Sequence, residues 1–103
     1  MESKYSLKIF PAAASDMEQI FDYIAENLSN PAAAIGQIND FEAAFDRVCT
    51  FPESCPQVNN EYVKDKTLRK LIVNNYIAFY RVKDREVQIV RVLYGMRDFE
   101  SLL

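Results

Sequence analysis

LRKLIVNNYIAFYRVKDREVQIVRVLYGMRD, residues 68–98, is the stretch whose reading decides the fold. Three runs rich in Val, Ile and Tyr are separated by two polar turns, the pattern of consecutive strands. Asn74-Asn75 makes the first turn, because Asn tolerates positive φ. Lys83-Asp84-Arg85 makes the second. Both connections are too short for a parallel crossover, so residues 68–94 read as an antiparallel meander. Alternation places Tyr76, Ala78, Tyr80 and Val82 on one face of the middle strand, and Ile77, Phe79 and Arg81 on the other. In the last strand Val90, Val92 and Tyr94 oppose Ile89, Arg91 and Leu93, and Gly95 ends the run. A short tail begins at Arg97, with Phe99, Leu102 and Leu103 able to dock.

Working outward, residues 5–10 alternate over one short, half-buried strand that Pro11 stops. Met17, Ile20, Phe21, Ile24 and Leu28 form one stripe of a helix over 12–28. Its start is either at Pro11 or at a Ser15–Glu18 capping box; the strong helix formers Ala12, Ala13 and Ala14 favour the earlier one. Asn30-Pro31 then reads as a cap followed by a proline in the first turn of a second helix. That helix runs to about Thr50 and carries Ile35, Ile38, Phe41, Phe45 and Val48 as its stripe. Gly36 costs it about 1 kcal/mol relative to Ala, which points to close packing between the helices. The short connection forces an antiparallel helical hairpin. Residues 51–56 break the second helix, and 57–67 form a polar loop. The order is β-α-α-β-β-β, an α+β domain spanning 1–103, with the hairpin on one face of an antiparallel sheet. The uncovered face would carry Phe79, Arg81, Ile89, Arg91 and Leu93, while Tyr94 would pack in the core.

The net charge of −3 hides a division of sign. Residues 12–51 hold seven acidic side chains and one basic, whereas 64–98 hold nine basic and four acidic. A dipolar surface follows, with one side able to meet an anion. The chain has no His, which removes the commonest general base, every Ser-His or Cys-His nucleophile, and the usual zinc sets. Cys49 and Cys55 flank a Phe-Pro turn without CxxC spacing and read as reduced thiols. Two glycines leave no phosphate-cradling loop, so no dinucleotide or other cofactor is expected. No apolar run approaches a membrane span or a signal peptide core, so cytoplasmic residence is expected and a membrane partner is not.

What remains chemically is a cluster of Lys and Arg among aromatics, able to hold phosphates. Such a set could also cleave RNA without metal or His, a Lys, Arg or Tyr handling the 2′-hydroxyl proton while arginines stabilise the charge on phosphorus. The candidates for that role are Arg97, Arg81 and Lys70; Lys64, Lys66, Arg69 and Arg91 are candidates for binding target or phosphate. Each has a plainer reading. Arg81 could bridge to Asp84 or Glu86, Arg91 could lie over apolar neighbours, and Lys64 and Lys66 could be solvated loop residues. Arg69 and Lys70 are adjacent on a strand and must face opposite ways.

LRKLIVNNYIAFYRV and VQIVRVLYGMRDFESLL resemble the C-terminal half of the RelE/ParE superfamily of bacterial type II toxins, and DMEQIFDYIAENL with FPESCP agrees over the helical part. The resemblance implies a toxin neutralised by a cognate antitoxin that covers its open face or its helical hairpin. RelE-like members cut mRNA on the ribosome; ParE-like members inhibit DNA gyrase. Arg97 matches the arginine that follows the strand-ending glycine in this family. Lys64, Lys66 and Lys70 lie where RelE-like members place catalytic lysines. Tyr76-Ile77 stands where nuclease members have Tyr-Arg, and no Tyr follows Arg97. These departures imply a ParE-like inhibitor of gyrase. The alternatives are a ribosome-dependent mRNA endonuclease and a degenerate module that only binds antitoxin.

Overall fold

The computed structural model describes residues 4–95 and 102–103. Its elements are β1 (Ser6–Ile9), α1 (Pro11–Asp22), α2 (Pro31–Thr50), β2 (Arg69–Val73), β3 (Tyr76–Lys83) and β4 (Glu86–Tyr94). A π-helical turn, Tyr23–Asn27, extends α1. Element order and helical hairpin are those the sequence predicts. The sheet order is β1-β4-β3-β2. The meander is antiparallel, but β1 lies parallel to β4, Ser6 opposite Glu86 and Ile9 opposite Ile89, so the sheet is mixed. Short turns dictate direction only between strands adjacent in sequence, and β1 is joined to its partner through the whole chain between them.

Local chemistry explains the punctuation. Asn74 takes φ 57° in the first hairpin turn, and Asp84 and Arg85 take 53° and 60° in the second. Two consecutive positive values make the primed turn whose twist suits a hairpin. Arg85 is held there from two sides: its carbonyl accepts from Ser6 N at 3.0 Å, and its guanidinium lies 4.6 Å above the Tyr5 ring. Helix α1 begins at Pro11, and Ser15 forms no capping box. Asn30 Oδ1 caps α2 by accepting from Ala33 N at 3.1 Å. Gly36 does not mark a helix crossing, since a Cβ there would meet nothing within 4 Å. Gly95 is different: its N donates to Asn75 O at 2.8 Å, and a Cβ would stand 3.2 Å from that oxygen.

Two cores sandwich the sheet. On the helix side Phe41, Phe45 and Val48 meet Ala78, Tyr80, Val87, Ile89 and Val92. On the other side Phe79 and Leu93, 0% and 3% exposed, lie under Val58, Val63 and Leu68, with Leu102 and Leu103 packed alongside. That face is therefore not open, as the sequence had suggested for Phe79 and Leu93. The polar segment after α2 is tied to the β2 edge, Val58 N to Leu68 O at 2.8 Å and Lys70 N to Pro56 O at 3.0 Å, which lets its few apolar residues form a roof. Ile89 also changes sides. Phe79 pairs with Arg91 and Tyr80 with Ile89, leaving Val90 as an extra residue. One such bulge reverses the alternation, so Val87 and Ile89 join Val92 under the helices.

The remaining departures lie at edges. Leu7 and Ile9 on the outermost strand are exposed, as are Leu28 and Ile35 beside the turn between the helices. Tyr94 is 47% exposed at the sheet's end, where it meets Tyr76 edge-on at 5.9 Å. Cys49 and Cys55 are free thiols, as expected. No helix among the described residues is long and apolar enough to cross a membrane.

Candidate functional site

The cations of the outer sheet face fall into two groups with different surroundings. In the upper group Arg91 is bound by a single carboxylate. β1 stops pairing when Phe10 N reaches Ile89 O, and α1 begins at once. The next edge amide of β4, Val92 N, donates instead to Asp16 Oδ2 at 2.9 Å. Arg91 donates to the same carboxylate through Nε at 2.7 Å and Nη2 at 2.9 Å. Its Nη1 reaches Leu102 O at 3.2 Å. The Asp16 and Arg91 side chains are 10% and 23% exposed. Bidentate pairing of this kind is among the stronger side-chain contacts, and it holds the guanidinium's pKa above its ordinary value. Arg91 is thereby committed to Asp16.

The lower group centres on Arg81. Its Nε donates to Gln88 Oε1 at 2.8 Å, and its Nη1 to Asp65 Oδ2 at 3.0 Å. Asp84 and Glu86, the partners foreseen from sequence, are not the ones used; Glu86 accepts from Gln88 Nε2 at 2.9 Å. Burial alone would raise the Asp65 pKa. The Thr67 hydroxyl and amide, then Arg81, outweigh it and hold the carboxyl below its ordinary value. Lys8 of β1 reaches the same place from the other side. Lys8 Nζ and the Arg81 guanidinium each stand 5.5 Å from the centroid of the Phe10 ring.

The other candidates disperse. Arg69 turns to the helix side, donating to Cys55 O at 2.6 Å and Glu53 O at 3.4 Å. Lys70 stands opposite Phe79, and its side chain makes no hydrogen bond or ion pair among the described residues. Lys66 Nζ donates to Asn60 O at 2.9 Å, and Lys64 is exposed. Arg97 lies outside the described residues. No His, Cys, Asp or Glu cluster among the described residues could hold a metal ion. Burial pushes the Tyr80 phenol's pKa up, and its hydroxyl donates to Pro52 O at 2.9 Å, so this tyrosine is a core strut.

A second feature lies on the opposite side of Asp16. A groove of about 560 Å³ opens between α1 and the tips of β3 and β4, lined by Ile20, Tyr23, Leu28, Tyr76 and Tyr94. Burial, then the neighbouring phenols of Tyr23 and Tyr94, raises the pKa of Tyr76. The groove is mainly aromatic and aliphatic, with Asp16, Gln19 and Asn75 also in its lining, and it suits an apolar segment better than an anion.

The model of the ParE toxin of type II toxin–antitoxin systems, parDE, matches residues 7–99. The chain belongs to the ParE toxin family. Among solved structures it is similar to a chain of the chromosomal ParDE system from P. aeruginosa, with a TM-score of 0.73 and 26% identity, over 88% of this chain and 96% of that one. A chain of the RelBE2 toxin–antitoxin complex from Mycobacterium tuberculosis shares the fold with a TM-score of 0.59 at 15% identity, over 91% and 94%. A chain of the YoeB–YefM complex from Staphylococcus aureus does so at 0.50 and 16%, over 89% and 98%. No curated protein sequence matches the chain.

Within this ParE-family chain, sequence reading missed Asp16, Asp65 and Lys8 as members of the cationic groups. Asp16 lies 75 residues from Arg91, and nothing local to either announces the pair. Lys8 had a signal in retrospect: it is a lone cation on a strand whose parallel neighbour carries Gln88, the residue that also binds Arg81.

Proposed function

We propose that this toxin is neutralised by a cognate antitoxin and, when free, arrests growth by inhibiting DNA gyrase. The match to the ParE toxin model over residues 7–99 carries this reading. The surroundings of the outer-face cations support it over nuclease chemistry. Arg91 is held by Asp16, Arg69 faces the helices, and Ile77 stands where an arginine would join them. The antitoxin fits the exposed apolar groove of Tyr23, Leu28 and Tyr94, and the similar solved chains come from toxin–antitoxin systems. The purified protein is expected to block supercoiling by gyrase, and adding the product of the adjacent gene is expected to restore it. Undiminished supercoiling, together with cleaved mRNA on translating ribosomes, would replace this reading by an endonuclease. That second reading draws on one observation, the cationic lower end of the outer face around Arg81.

A further inference from the structure

The lower end of the outer sheet face holds more unneutralised charge than the fold needs. Lys8 on β1 and Arg81 on β3 both stand opposite Gln88 on β4, one on either side. Lys83 follows Arg81 by two residues and so shares its face. Lys64 adjoins Asp65, the residue that ties the loop to Arg81. The side chains of Lys8, Lys64 and Lys83 make no hydrogen bond or ion pair among the described residues. Two cations brought to the single ring of Phe10 repel each other, and the ring and Asp65 offset only part of that. Gln88 and Asp65 take Nε and Nη1 of Arg81 and fix its plane, while its Nη2 has no protein partner among the described residues. An anion placed between Lys8 and Arg81 would relieve the repulsion.

The acidic groups nearby are Asp65, which is paired with Arg81, Glu86, which stands opposite Lys83 and accepts from Gln88, and Asp84 in the adjoining turn. At the opposite pole α1 and its π turn expose Glu18, Asp22 and Glu26 at intervals of four, so a polyanion is repelled from the helices and approaches by the sheet. We propose that this end of the outer face binds the phosphodiester backbone of a nucleic acid, with Lys8, Arg81 and Lys83 as its phosphate contacts and Lys64 at its rim. Base stacking is not its main means, because Phe10 is covered by cations and Phe79 is buried. Tyr62, 70% exposed two residues before Lys64, offers one ring to a single strand that a duplex could not use.

The site does not depend on whether gyrase is the target, because the measurement needs neither gyrase nor ribosome. Purified protein is titrated into labelled duplex DNA, single-stranded DNA and single-stranded RNA at several salt concentrations, with anisotropy as the readout. Binding to at least one is expected, with a slope of log K against log salt of about −2 to −3 for three phosphates. Lys8→Glu and Lys83→Glu are each expected to weaken it several-fold and flatten the slope by about one. Lys8→Gln gives a milder loss in the same direction. Arg47→Glu, an equal charge change on the exposed face of α2, leaves it unchanged. Circular dichroism checks that each variant is folded. The strand type bound most tightly identifies the source of the phosphates. Absence of binding to all three at low salt, or an equal loss with Arg47→Glu, overturns the proposal.

Discussion

Asp16 receives three donors on one carboxylate: the Val92 amide and two nitrogens of Arg91. Replacing it by Asn keeps the shape but leaves a partly buried guanidinium without its counter-ion. Asp16→Asn is expected to cost about 2–3 kcal/mol, seen as a fall of roughly 10 °C or more in Tm. An unchanged Tm would mean that Arg91 is stabilised by other contacts. Gly36 tests the opposite direction. Its missing side chain faces open space in the second turn of α2, so Gly36→Ala is expected to raise stability by about 1 kcal/mol. Asp65 has its pKa lowered in the folded state, so the native chain binds fewer protons than the unfolded one in acid. The stability it contributes is present above the unfolded carboxyl pKa and is lost as pH falls through the folded value. Asp65→Asn should flatten the acid limb of a stability–pH curve, and an unaltered limb would contradict the assignment.

Between elements, the groove of α1 against β3 and β4 exposes two aromatic side chains, Tyr23 and Tyr94. Tyr94→Asp is expected to weaken antitoxin binding at least tenfold by titration calorimetry, while changing the free toxin's Tm little, because the side chain is half exposed. Equal affinity would place the partner elsewhere. The elements themselves were largely legible in the sequence where a local signal exists. Pro11 and Asn30-Pro31 set the helix starts, and Asn74 and Asp84 set the turns. Features made by distant partners were not. Val90 is extra only in relation to β3, so nothing in EVQIVRVLY alone announces that Ile89 turns inward. The 57–67 loop reads as polar because Val58 and Val63 are its only aliphatic residues, yet these two pack with Leu68 in the cluster that buries Phe79. That Lys and Arg side chains lie on the sheet was legible in the sequence. Their partners were not: Arg69 donates to the carbonyls of Cys55 and Glu53, and Arg91 pairs with Asp16. Lys8 instead arrives from the other end of the chain.

Across the molecule, charge and topology run along the same division. The acidic helices and the cationic end of the sheet give a small protein of net charge −3 two poles of opposite sign. For the proposed phosphodiester site, such a division would favour approach by the sheet over approach by the helices. The parallel pairing of β1 with β4 has a consequence for timing. The strand β1 is made well before the strand it pairs with, since Ser6 is matched by Glu86 and Ile9 by Ile89. During synthesis the two helices emerge before the strands they cover, and the first strand stays unmatched until the fourth has left the ribosome. Contacts this distant in sequence slow folding. A nascent chain stopped at residue 85 lacks β4, and it is expected to be unfolded by circular dichroism and harmless on induction. Growth arrest by such a fragment would show that activity precedes the completed sheet. If activity waits for the last strand, as a harmless fragment would show, a neutralising partner needs to recognise only the finished fold.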